Sequence, residues 1–512
     1  MSGDEKIPVA GAQHPFRQSI LFIVLTALLL RLAVITIGHT YRITPRRDHF
    51  QFGWEMGRIA RSIATGKGFS SPTDLPTGPS AWTPPLYPYI LAGVFRLCGV
   101  YSALSAWVIL SFNSVFAALT CLTLYRIGEK MYGVGVGRAA AWTWAVFPYA
   151  IYWPVRVVWE TSFTTFLLSV ALSFTLRMSD EPPRRTWIAF GLLWGIIGLT
   201  NTAVLSMLPF CLLWLFYRLP WRRPQLVGAA LCVLVATLVI SPWLIRNYQV
   251  FGKFIFVRDN LPLEMYEANN NQSAGLWTRD EHPGNNPEAM RRFQQLGELG
   301  FMAEKQLEVR QFIREHPGRF LWFTAERAVY FWIAPPQATI VNGYDLMISR
   351  HTNFFIAAAF AFAGLWLTIR NRVRGGFLLA CFLLIYPLPY YLVNPFPRYK
   401  HPIEPAMLLL IVYLFWEARK IQLHWRTSCG NVGRLATFSP SFKLDHAVHS
   451  AEASAALCFR GQCDFHAGQR NELSRRSLVH SAGHAFGNGV GHVRRAANHS
   501  RPADVALHRR HH

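Results

Sequence analysis

The chain alternates long apolar runs with short polar turns. The runs fall near residues 18–38, 102–125, 139–155, 161–178, 187–200, 202–217, 226–245, 352–369, 376–393 and 403–420. A helix of about 20 apolar residues crosses a hydrocarbon core, and several of the runs approach that length. The expected fold class is therefore an all-α polytopic membrane protein with about 10 transmembrane helices, in a range of about 10–12.

The polar positions orient these spans. The turns after the second, fourth, sixth and eighth runs carry Arg126, Lys130 and Arg138; Arg177, Arg184 and Arg185; Arg218, Arg222 and Arg223; and Arg370, Arg372 and Arg374. Cytoplasmic loops are enriched in Lys and Arg, so these turns are expected inside, together with both termini. Segments 39–101, 156–160, 246–351 and 394–402 then face outward. Two further apolar stretches, Leu86–Leu97 and Phe320–Trp332, break this parity if they cross. The first is short, follows Pro84-Pro85 and carries Arg96, and the second carries Glu326 and Arg327. Both read as helices lying at the outer interface.

The resulting organisation is a cytoplasmic N-terminus (1–17), an N-terminal transmembrane module (18–245) that includes the first outer loop (39–101), an outer insert (246–351), a C-terminal transmembrane module (352–420) and a tail (421–512). No small-residue cleavage site follows the first run, which reads as a retained anchor. In the insert, Asp259, Asn260, Glu264, Glu267 and Asn269-Asn270-Asn271 precede a charged helical stretch over 288–314. Residues 427–512 hold ten of the 18 His and no sustained apolar period, so disorder is expected. Cys458, Cys463 and His466 lie close together there, without the spacing of a zinc site.

Composition sharpens the class. The 512 residues are 52% hydrophobic and only 15% charged, against about 25% charged in soluble proteins. A net charge of +23 would ordinarily suggest nucleic acid. Here many cations sit in turns between apolar runs and in the tail, so topology accounts for them and no nucleic-acid partner is expected. Cys98, Cys121, Cys211, Cys232 and Cys381 lie within apolar segments and show neither disulfide nor metal spacing.

Candidate chemistry gathers in the outer segments. From Phe52 onward, Ile59 and Ile63 with Trp54, Arg58 and Arg61 give the period of a short amphipathic helix, ended by Gly66-Lys67-Gly68. Glu55 and Arg58 share one face of it, as a general base beside a phosphate-binding cation or as an ordinary ion pair, and spacing alone favours the pair. Arg42, Arg46, Arg47, Arg58, Arg61 and Lys67 crowd an outward loop, which hints at a bound anion. Residues 77–89 are aromatic and Pro-rich, fit for a pocket wall or an interfacial anchor.

In the second outer turn Glu160 stands before Thr161 and Ser162, as a functional carboxylate at membrane depth or as a charge favoured at a helix N-terminus. Before the last run, Arg398, Lys400 and His401 stand among Pro395, Pro397 and Pro402. They suit a lipid phosphate, and snorkelling is the plainer alternative.

Taken in order, Ile59-Ala60, Gly66-Lys67-Gly68-Phe69, Pro84-Pro85-Leu86-Tyr87-Pro88, Glu160 and Arg398-Tyr399-Lys400-His401-Pro402 resemble the GT-C fold glycosyltransferases of the protein O-mannosyltransferase and aminoarabinose-transferase type, over roughly residues 18–420. The resemblance implies inverting transfer of a sugar from a polyprenyl-phosphate donor to a lipid, glycan or protein acceptor, on the periplasmic or extracellular side of a bacterial inner membrane. It implies a first-loop carboxylate as base. The Asp-Glu or Asp-Asp pair common at that place is missing here, so Glu55 or the upstream Asp48 takes the role. Glu55 is preferred because it lies in the expected helix facing Arg58.

Glu160 matches the second-loop acid, and Arg58, Arg398, Lys400 and His401 are implied to hold the donor phosphate. No cofactor and no metal ligand are assigned, and a divalent metal is left open. A transporter or flippase of lipid-linked sugars is the rival reading, but transporters show paired halves interrupted at the midplane. A ligase or polymerase using a pyrophosphate donor is the other.

Overall fold

A computed structural model of the chain describes residues 19–178, 181–219, 223–277, 281–336 and 344–435. The short N-terminus, most of the tail, and Cys458, Cys463 and His466 lie outside the described residues. Among the described residues the chain is all-helical, with one isolated bridge between Ser70 and Pro79. The longer helices are α1 (Ile20–Ile37), α2 (Trp54–Ala64), α3 (Leu86–Cys98), α4 (Ala103–Tyr132), α5 (Val134–Val146), α6 (Pro148–Arg156), α7 (Thr161–Arg177), α8 (Arg184–Thr200), α9 (Leu208–Arg218) and α10 (Arg223–Phe251). They continue with α11 (Leu261–Ala268), α12 (Pro287–Glu315), α13 (Pro317–Ile333), α14 (Tyr344–Arg370), α15 (Gly376–Leu384), α16 (Leu388–Leu392) and α17 (Glu404–Leu435).

Every apolar run read from the sequence falls on helix. Four stretches, Ile20–Ile37, Ala103–Tyr132, Arg223–Phe251 and His351–Arg370, are each long and apolar enough to cross a membrane. The protein is a polytopic membrane protein. Other runs are shorter or broken, and α17 continues to Leu435, past the boundary expected at 421.

Prolines and buried arginines explain two of the breaks. The run 139–155 splits into α5 and α6 at Phe147, whose backbone is extended (φ −64°, ψ 122°), just before Pro148. Pro148 has no N–H for the Trp144 carbonyl, and Pro154 has none for that of Ala150. Arg31 of α1, fully buried, donates from Nη2 to Trp144 O (3.3 Å) and Ala150 O (3.1 Å), and from Nη1 to Ala145 O (3.0 Å). A guanidinium thus replaces peptide donors that proline removes, where no water is at hand.

Arg327 of α13 repeats the device. It donates to Tyr391 O, Leu392 O and Val393 O at 3.2, 2.7 and 3.1 Å, and Pro395 and Pro397 leave the first and last of these without helical partners. The Arg327 side chain also donates to Asn269 Oδ1, which ties the end of α11 to the segment before α17.

The bundle packs closely where its residues are small. A Cβ on Gly128 of α4 would lie 2.6 Å from the Gly137 Cα of α5, so only glycine allows this approach. At one end of the bundle the basic turns meet. Arg177 reaches Arg126 O (3.2 Å) and Glu129 (3.2 Å), and Arg218 reaches Met178 O (2.7 Å). The segments expected to face outward gather away from these turns. There Trp82 of the first loop joins Leu263, Met290, Phe293, Phe301 and Met302 of the 246–336 region in a small core of its own.

Candidate functional site

Three outer segments converge on one guanidinium. Gly53, in the left-handed region (φ 99°), opens α2 against the second outer turn, where a Cβ would lie 3.1 Å from Val158 O. This brings Trp54 edge-on to Trp159, with ring centroids 4.7 Å apart. Between the prolines of the last outer segment, Arg398 lays its guanidinium 4.5 Å from the Trp159 ring, 5.2 Å from Trp54, 4.8 Å from Phe396 and 4.9 Å from Tyr399. Its Nη2 donates to Tyr399 Oη (3.1 Å), while Nε is buried without a protein acceptor. Aromatic faces hold such a cation without neutralising it, which leaves its charge for an anion.

Beside Arg398 lies a narrow cleft lined by Trp159, Glu160, Thr164, Asn201, Tyr386 and Tyr390 among others. Glu160 is buried at the start of α7; its Oε1 accepts from Asn201 Nδ2 (3.3 Å), and Oε2 has no partner. Burial raises its carboxyl to about 7, against the pull of Arg398, the backbone N–H, Arg258 and Asn201. Thr164 Oγ1 is buried and unpartnered as well. A cleft that buries polar atoms without partners fits a polar ligand better than lipid tails.

Glu55 sits in the first turn of α2 and is paired with His282, whose Nε2 lies 3.3 Å from Glu55 Oε1. Burial raises its pKa, but the hydrogen bond from His282, a backbone N–H and Arg58 together hold the carboxyl below its usual range. Arg58 contacts Asp48 (3.5 Å), and Arg61 Nη1 donates to both carboxylate oxygens of Asp48 (2.7 and 2.8 Å). The sequence pairs Glu55 with Arg58; in the fold Arg58 turns to Asp48, and Glu55 takes a partner from a distant loop.

The three cations read together before α17 separate. Arg398 faces the cleft. Lys400 is buried with Nζ 3.1 Å above the Phe354 ring, and burial pushes its ammonium down to about 7 against the pull of Glu404. His401 is buried, stacks on Trp144 (5.5 Å), and is hydrogen-bonded through Nδ1 to Glu404 Oε2 (2.6 Å). Neither lines the cleft.

Several residues of this region are not assigned a site role from the sequence. Arg258 acts electrostatically on Glu160, and Asn201, Tyr386 and Tyr390 line the cleft. His282 reaches Glu55 from the outer loop region. Glu267, close enough to Glu264 and Glu55 to feel both charges, has its carboxyl raised well above the usual range, first by burial. Among the described residues, no group of three or more His, Cys, Asp or Glu is arranged to hold a metal ion.

Residues 83–245 match the family model of dolichyl-phosphate-mannose-protein mannosyltransferase. That segment is similar to the GT-C membrane glycosyltransferases. It carries Glu160 and Asn201, and leaves Glu55, Arg398 and the 246–336 region outside it. Among solved structures, the chain is similar to the oligosaccharyltransferase AglB from Archaeoglobus fulgidus in complex with an inhibitory peptide and a dolichol-phosphate. That likeness has 12% identity and a TM-score of 0.49, and covers 87% of this chain and 54% of AglB. The chain thus spans about half the length of AglB. It is also similar to ArnT from Cupriavidus metallidurans bound to undecaprenyl phosphate, with 14% identity and a TM-score of 0.35, over 77% of this chain and 76% of ArnT. Among curated proteins no sequence matches.

Proposed function

We propose that this chain transfers a sugar from a polyprenyl-monophosphate donor to a lipid, glycan or protein acceptor at the outer face of a bacterial inner membrane. The observation that carries the reading is the Arg398 guanidinium, held by Trp54, Trp159, Phe396 and Tyr399 beside Glu160. A cation kept charged at the outer mouth of a membrane bundle suits an anionic headgroup whose tail stays in the bilayer.

In this reading the donor phosphate lies against Arg398, with Glu160 beside it. Glu55, kept ionised, takes the proton of the acceptor hydroxyl or amine as that group attacks the anomeric carbon. The bond from the anomeric carbon to the phosphate oxygen breaks, its electron pair leaves with the phosphate, and Arg398 stabilises the added charge. Attack opposite the leaving group inverts the anomeric centre. Glu160, whose carboxyl burial raises to about 7, offers one hydrogen bond to the donor. Arg58 lies near enough to Glu55 to lend it charge, whereas Lys400 and His401 are buried against Phe354 and Trp144, away from the cleft.

The test is transfer by the purified protein from a panel of undecaprenyl-monophosphate sugars against the same sugars on undecaprenyl pyrophosphate. Transfer from monophosphates alone supports the reading. Transfer from pyrophosphates alone, or translocation without transfer, overturns it.

A further inference from the structure

His282 lies in a tight turn just ahead of α12, and the turn fixes its ring chemically. Its carbonyl accepts from Asn285 N (2.8 Å) and Asn286 N (3.0 Å), and its Nδ1 accepts from Gly284 N (3.0 Å). A ring nitrogen that accepts a backbone N–H carries no proton, so in the neutral imidazole the proton sits on Nε2. That is the nitrogen 3.3 Å from Glu55 Oε1. Trp82 packs edge-on against the ring at 5.7 Å, and the side chain is only 12% exposed, so the ring has little room to turn.

The turn is itself anchored. Asn286 Oδ1 accepts from Glu288 N (2.8 Å) and Ala289 N (3.3 Å) at the start of α12, and Phe293 of α12 packs on Trp82 with ring centroids 5.7 Å apart. The groups facing Glu55 are therefore His282 from this turn, Arg58 from its own helix and Glu267 from α11. Of these side chains His282 is the one bonded to the carboxylate, at Oε1, and a carboxylate oxygen has more than one lone pair, so Glu55 can still accept a proton.

We propose that His282 is a positioning residue for Glu55: its Nε2–H donates to one carboxylate oxygen, orienting the other toward the acceptor, so that the region after α11 completes the site begun in the first outer loop. The proposal rests on the reading of Glu55 as base. It assigns His282 no proton transfer, because its one proton is committed to Glu55 and its other nitrogen to Gly284. The carboxylate stays ionised to lower pH with the donor present than without it, and its lone pair is aimed before the acceptor binds.

The experiment measures kcat and donor KM against pH, with undecaprenyl-monophosphate sugars as probes, for wild type, His282→Ala, His282→Gln and Glu55→Gln. A Gln amide can place an N–H near the position of Nε2. His282→Ala is expected to lower kcat about tenfold or more, to leave donor KM within about twofold, and to move the acid limb of the profile to higher pH. His282→Gln is expected to recover most of the rate and the position of the limb.

An unmoved acid limb in His282→Ala, with Glu55→Gln inactive, overturns the proposal and leaves the base reading standing. A Gln variant as slow as Ala, with both properly folded by their thermal melts, overturns it too. Full activity in Glu55→Gln, or no transfer by the wild type from any monophosphate sugar, removes the base reading and this proposal together.

Discussion

The guanidinium of Arg398 lies 4.5 Å from the ring of Trp159, and Glu160 is the next residue along. The last outer segment and the second outer turn, far apart in the chain, therefore present a cation and a carboxyl to one cleft. Removing that cation by Arg398→Ala is expected to weaken binding of undecaprenyl phosphate on the order of tenfold to a hundredfold. Arg398→Lys is expected to recover little, because a flexible ammonium does not stack flat between aromatic faces as the guanidinium does. Equilibrium binding of the labelled lipid checks both.

Asp48 and Glu55 are told apart by their partners. Asp48 takes Arg61 Nη1 on both of its oxygens, whereas Glu55 is held by His282 and a backbone N–H. Asp48→Asn is therefore expected to lower thermal stability by up to about 1 kcal/mol, through the loss of a partly exposed ion pair, and to change kcat little. A melt and a rate on the same preparation measure this. A large loss of kcat with stability intact moves the base to Asp48.

Arg31 fills a structural place. Arg31→Leu leaves the carbonyls of Trp144, Ala145 and Ala150 without that donor inside the bundle. The expected cost is on the order of 3 kcal/mol, since losing a charged donor also strands buried acceptors. Thermal unfolding in detergent reads it out, and a variant as stable as the wild type contradicts the role given to Arg31.

The outer region carries a pH-sensitive joint. Asp259 and Glu298 bury carboxyl oxygens on either side of Ala81, whose N–H donates to Glu298 and whose carbonyl accepts from Asp259 N (3.1 Å). Burial raises Asp259 to about 6, and burial followed by the Asp259 charge raises Glu298 well above its usual range; Arg258, Arg246 and Ser80 are the other groups acting on the pair. Both folded values lie above the unfolded ones of about 4, so the folded state holds protons that the unfolded chain has released. Stability from the pair is complete below that unfolded value and falls as pH rises toward neutrality. Between about pH 5 and about pH 8 the outer region of the wild type is expected to lose protection from proteolysis. Asp259→Asn, which leaves a single carboxyl there, is expected to flatten that loss.

Much of the fold was legible because a membrane helix must be apolar over its whole length, and runs such as 226–245 advertise it. The break at Phe147 was less legible, since the partner that makes it tolerable, Arg31, lies on another helix. The cluster at Arg398, Lys400 and His401 read as one grip because the residues are close in sequence. On a helical turn, neighbours point about 100° apart, so Arg398 meets the cleft while Lys400 meets Phe354. His401 had a local signal, as Glu404 stands three residues on. His282 had none: a lone histidine in an outer loop gains its meaning only when Trp82 and Glu55 fold against it.

The most direct measurement is the transfer rate of Glu55→Gln at saturating undecaprenyl-monophosphate sugar, alongside its affinity for that donor. If Glu55 is the base of a sugar transfer from a lipid monophosphate, kcat falls on the order of 10²- to 10⁴-fold while donor affinity stays that of the wild type. A variant that transfers at the wild-type rate contradicts it.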